Sequence, residues 1–63
     1  MIPKANVKVI GLKIGRGIYA VAGYERIGYA PAHRRKTFKT YDRACRYSIE
    51  LRDYYQVPVK EYK

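Results

Sequence analysis

The most versatile side chains in this sequence are its one histidine, His33, and its one thiol, Cys45. A zinc site gathers three or four such ligands at short, recurrent spacings, and two isolated candidates do not make one. The five carboxylates include no pair that the sequence brings together in an apolar cleft, as a general acid and base would require. Three of them, Asp42, Glu50 and Asp53, have a simpler explanation on a helix. No nucleophile stands with a base and an orienting group. The "GRG" at 15–17 lacks the rest of a nucleotide fingerprint and a helix directly after it, so it reads as a turn and not as a phosphate cradle. No catalytic residue, metal ligand or cofactor is therefore expected. The chemistry left to the chain is that of its cations and its eight tyrosines.

Fourteen Lys and Arg against five Asp and Glu give a net charge of +9. Its placement is one-sided. Residues 1–39 carry nine basic residues against Glu25 alone, whereas residues 40–55 carry three of each sign. An excess so placed is the electrostatic footprint of a protein that meets a polyanion. The "HRRKTFKT" segment at 33–40 concentrates it around the single phenylalanine, Phe38.

The elements that must position these charges follow from periodicity. "KVIGLKI" alternates at the strand period, which predicts a strand from about Val7 to Ile14. The glycines of "GRG" suit a hairpin loop, and "IYAVAGY" at 18–24 predicts the second strand, with Tyr19, Val21 and Gly23 on one face. "ERIGYAPA" contains Pro31 and reads as a loop leading to a third strand near Arg34 to Lys39. At Thr40 the period changes to that of a helix. Thr40 is placed to cap it, Asp42 sits at the positive end of its dipole, and Asp42, Arg46 and Glu50 recur four apart. Tyr41, Ala44, Tyr47, Ser48, Leu51 and Tyr55 form the opposite, apolar side, and Pro58 stops the helix.

The expected fold is α+β: one small domain over residues 1–63, with a three-stranded antiparallel sheet packed on one C-terminal helix in the order β-β-β-α. Residues 56–63 are a tail that either adds a short edge strand or stays mobile. One face of the sheet lies under the helix and the other is open to solvent. Phe38 is expected to face inward, yet Arg34 and Lys36 share its strand parity, which requires a bulge or a strand end to re-aim them. Tyr19, Tyr41, Tyr47 and Tyr55 are expected to pack, and Tyr24 and Tyr29 to face a ligand.

Three short segments, "IGLK" at 10–13, "GIYAV" at 17–21 and "RKTFKTYDRAC" at 35–45, make the chain resemble the plant ethylene-response-factor type DNA-binding domain and the arm-type N-terminal domain of tyrosine recombinases. Phe38, Thr40 and Ala44 keep the mutual spacing of the family's third element. The resemblance covers about residues 9–50, and implies that the sheet, not the helix, lies in the major groove of DNA. It implies that Lys13 and Tyr24 stand at base-contacting positions, and that Arg34 stands where the third strand presents an aromatic to the backbone. The chain departs from the pattern at Ile10, Ala22 and Arg35, the last falling at an inward apolar position.

The function expected from all this is duplex DNA binding through the open sheet face and adjoining loops by Lys13, Arg16, Tyr24, Arg26, Arg34, Arg35 and Lys36. By analogy of size, an accessory factor of a phage or mobile element fits. The alternatives are a protein-interaction module, with a protein partner or a homodimer through the tyrosines, and an RNA-binding module. A single cysteine, and a start without the basic-then-apolar pattern of a secretory leader, point to a reducing, intracellular, cytoplasmic setting. The longest apolar stretch falls well short of the ~20 residues that span a bilayer, so no membrane span is expected.

Overall fold

The computed structural model describes residues 6–63. Lys4, one of the basic residues before Thr40, and the first five residues on which the expectation about a leader partly rests lie outside them. The element order is β1 (Val9–Ile14), β2 (Tyr19–Tyr24), β3 (His33–Phe38), α1 (Tyr41–Tyr55) and β4 (Val59–Tyr62). The α+β class is as the sequence predicts, with two corrections. The sheet has four strands in the order β3-β2-β1-β4, and it is mixed, because β4 runs parallel to β1. The helix is therefore not the last element. Of the two outcomes open for the tail, the edge strand is the one that forms.

Chain direction explains the mixture. β1, β2 and β3 alternate, so β3 leaves in the direction of β1, and α1 carries the chain back to the end from which β1 starts. A strand begun there runs parallel to β1, and its first ladder bond is donated by the Ile10 amide to the Pro58 carbonyl at 2.9 Å. The β1–β2 hairpin closes with the Gly15 amide donating to the Ile18 carbonyl at 2.9 Å, while Gly17 takes φ +70°, where a side chain would be strained.

The helix forms where its signals lie. Thr40 Oγ1 accepts the Arg43 amide at 3.3 Å, a cap worth about 1 kcal/mol. Arg46 reaches Asp42 one turn away at 3.5 Å, a fully solvated pair worth only tenths of a kcal/mol. The helix ends with Gln56 in the left-handed region at φ 56°, its amide bonded to the Arg52 carbonyl, just before Pro58.

Pairing puts Ile10 opposite Gly23, Leu12 opposite Val21 and Ile14 opposite Tyr19, so these residues share the face under α1. Ile10, Leu12 and Val21 are fully buried, against Ala44 and Leu51 of the helix. Gly23 is required there: a Cβ on it would lie 2.8 Å from that of His33. Ser48, buried on the helix, donates to the Cys45 carbonyl at 2.7 Å and so needs no partner from the core.

Phe38 does face inward, opposite Tyr19 in register, with its ring 5.4 Å from that of Tyr47. It is only half-buried, because β3 is an edge strand. The parity conflict is resolved in two ways. A register shift between Val21 and Gly23 sets Arg34 and Arg35 together opposite Ala22. Lys36 stays on the side of Phe38, but at the sheet edge, where its Nζ lies 5.6 Å above the Phe38 ring and 5.1 Å above that of Tyr47. His33 shares that side, its Nδ1 2.8 Å from the Tyr55 hydroxyl and its Nε2 3.3 Å from that of Tyr47. Tyr19, Tyr47 and Tyr55 thus pack as expected, and Tyr41 sets its ring edge-on against that of Tyr19 at 5.7 Å while remaining 43% exposed and donating a hydrogen bond to Glu61 of β4.

Three tyrosine hydroxyls, those of Tyr41 and Tyr55 and that of Tyr62 at the end of β4, hold their protons more tightly than a free tyrosine. The bond to Glu61 raises Tyr41, burial raises Tyr55, and burial followed by the bond to Tyr24 pushes Tyr62 up to about 12, against some lowering by Arg35. A folded pKa above the unfolded value of 10.0 means that the unfolded chain ionises first. The stability contributed is complete below about pH 10 and is lost as pH rises towards about 12. The thermal midpoint, followed by circular dichroism, should therefore fall across that window, and fall less in Tyr62→Phe. Equal falls in the two proteins would remove Tyr62 from this account.

Candidate functional site

The residues that alternate with the core positions form the outer face of the sheet. Val9, Gly11 and Lys13 come from β1, Ala20, Ala22 and Tyr24 from β2, and Thr37 pairs with Ala20 from β3. β4 contributes Lys60, beside Gly11, and Tyr62, beside Lys13. The middle of this face is not open, although no helix covers it. The rings of Tyr24 and Tyr62 meet edge to face at 6.5 Å over Gly11, and their hydroxyls share a hydrogen bond of 2.9 Å. A Cβ on Gly11 would come within 2.7 Å of the Tyr24 ring and 2.9 Å of the Tyr62 ring, so glycine is what allows both rings to close over the strand. Beneath them Ala22 is 1% exposed, and Tyr24 itself is 7% exposed. Tyr24, expected to face a ligand, is instead part of a small second cluster.

The expected cations separate into distinct places. Lys13, Arg16 and Arg35 come together at the hairpin end of the outer face, around a concavity of about 320 Å³ lined also by Ile18, Ala20 and Thr37. Arg35 therefore does not take the inward apolar position that the family pattern implies, because regular alternation from Phe38 sets it outward with Thr37, two residues along β3. Arg34 is exposed at the register shift opposite Ala22. Arg26 lies at the far end of the sheet in the loop after β2. Its guanidinium sits 5.3 Å above the ring of Tyr29, which is 65% exposed, beside a second concavity of about 610 Å³ that includes Lys8 and Glu25. Lys36 is on the helix side. Of the seven residues, Lys13, Arg16 and Arg35 are the three that the fold brings to one site.

Charge pairing sharpens the contrast between sheet and helix. Among the described residues the ion pairs are Arg46 with Asp42 and Arg52 with Asp53, both on α1. Lys13, Arg16 and Arg35 make none. Cations clustered without carboxylates repel one another, and a bound anion relieves that repulsion. Lys60 belongs to the same face but was not anticipated, since the tail's alternation of Lys60 and Tyr62 against Val59 and Glu61 acquires a meaning only once β4 is paired.

Among the described residues no three of His, Cys, Asp and Glu gather as a metal site, and no helix is long and apolar enough to cross a membrane. Comparison with known proteins gives no match: no family model, no curated protein and no solved structure is significantly similar to the chain.

Proposed function

We propose that this protein binds nucleic acid, duplex DNA before RNA, through the outer face of its sheet, and that it is a binding protein without catalysis. The observation that carries the reading is the meeting of Lys13, Arg16 and Arg35 around one concavity, on a face that Lys60 extends and that holds no ion pair among the described residues. A face with cations of one sign suits a ligand with regularly repeated negative charge, and the phosphate backbone is such a ligand. The helix offers no comparable surface: its arginines are balanced by its own carboxylates.

Binding by this face has a measurable electrostatic signature. Each phosphate neutralised releases condensed counterions, so log affinity falls with log salt at a slope near −0.9 per contact on duplex DNA. Four contacts, one for each cation named, correspond to a slope of about −3.6. Titrating labelled duplex DNA, structured RNA and an acidic protein at a series of salt concentrations tests this. Tighter binding to duplex DNA with that slope supports the reading. Absence of salt-dependent binding to DNA at about 50 mM salt, where even non-specific contacts are strong, leaves an interaction protein in its place. Tighter binding to the RNA transfers the proposal to that ligand.

A further inference from the structure

Within this DNA-binding reading, on which the inference rests, we infer that the concavity ringed by Lys13, Arg16 and Arg35 seats a single phosphodiester, and that the protein grips the duplex by its backbone without reading its bases. Two features of the outer face lead there.

The first is shape. Base edges lie at the floor of a groove about 8.5 Å deep, so a base reader must project into it, whereas phosphates project outward from the duplex. The cations here surround a depression of about 320 Å³ whose sides include Ala20, Ile18 and Thr37. A depression receives what protrudes. Thr37 adds a hydroxyl able to donate to a phosphate oxygen between the positive charges, and its position on β3 opposite Ala20 keeps it fixed by the ladder.

The second feature is what fills the middle of the face. Side chains that read base edges need donors and acceptors left free for them. Along the sheet beyond the depression stand Gly11 and Ala22, which have no hydrogen-bonding side chain, and Tyr24 and Tyr62, whose hydroxyls bond to each other at 2.9 Å. Tyr24 is almost fully buried, so neither ring is free to stack on a splayed base without leaving its partner. The result is a smooth aromatic roof flanked by Lys60 and the Lys13–Arg16–Arg35 cluster. Such a surface follows the duplex at the level of its phosphates, and its middle has no free donor or acceptor to place against a particular base pair.

The test uses the whole chain and a panel of short duplexes that differ in sequence and A·T content, with affinities read by fluorescence anisotropy at fixed salt. All should bind alike, within about threefold, since one wrong base pair costs a sequence reader about 5- to 150-fold. Thr37→Val, which keeps the shape and removes the hydroxyl, should weaken every duplex by the same factor. Replacing the charged linkages of one duplex by neutral methylphosphonates should abolish binding. A duplex preferred more than tenfold, or a Thr37→Val variant that reorders the panel, overturns the inference while leaving DNA binding in place. Unchanged affinity for the methylphosphonate duplex overturns the phosphodiester seat. Failure of every duplex to bind overturns the inference together with the reading beneath it.

Discussion

Replacing Leu12 with alanine is expected to leave most of the protein unfolded at ambient temperature. Leu12 is 1% exposed and stands between Val21 on one neighbouring strand and Glu61 on the other, with Ala44 and Leu51 in the same cluster. Truncating a buried leucine costs about 2–5 kcal/mol, because the cavity left behind collapses only in part. A chain of this length has roughly 3–9 kcal/mol of stability in total. The loss therefore takes a large share of what holds the fold, more than truncating Phe38, which is half-exposed at the sheet edge. Urea titration followed by far-ultraviolet circular dichroism should show the transition shifted to low denaturant or absent. Ile18→Ala, at a residue 57% exposed, should leave the midpoint close to that of the parent. A Leu12→Ala midpoint indistinguishable from the parent's would mean that β1 does not anchor the core as described.

The largest expected effect on binding comes from the double variant Lys13→Ala with Arg35→Ala. Both side chains are exposed on the outer face and neither is paired with a carboxylate among the described residues, so their removal should leave folding nearly untouched. Each lost phosphate contact lowers affinity by about eightfold at 0.1 M salt, from the slope of 0.9 per contact, so two contacts amount to roughly 60-fold. The salt slope itself should flatten by about two. Arg46→Ala on the helix, which removes a residue already neutralised by Asp42, provides the comparison and should change affinity little. Equal losses from the helix and sheet variants would show that binding follows overall charge and not this face.

Much of the fold was legible because its signals are local. The strand alternation of 9–14, the glycine turn at 15–17, the cap at Thr40 and the stop before Pro58 each depend on residues within one turn or one strand of one another, and all appear where the sequence places them. Phe38 is different: its inward placement is expected beside a family resemblance carried by its spacing to Thr40 and Ala44, and against the strand parity it shares with Arg34 and Lys36. The candidate site was legible only as a composition: the basic excess before Thr40 marks a stretch of chain without saying which side chains share a surface. Lys36 and Arg35 are adjacent in sequence and lie on opposite faces of the sheet.

By itself, then, the sequence determined the number and order of the first three strands and the helix, the alternation along β1 and β2, and the one-sided placement of the chain's own positive charge. Only the tertiary structure decided that β4 joins β1 in parallel, that a bulge opposite Ala22 breaks the alternation of β3 at Arg34, and that Tyr24 closes over Gly11 onto Tyr62. The physical reason is distance along the chain. A strand of four residues has too little pattern of its own to fix a partner, and it is held by pairing with residues almost fifty positions earlier. A tyrosine exposed in a three-stranded sheet becomes buried when a fourth strand brings a second ring beside it.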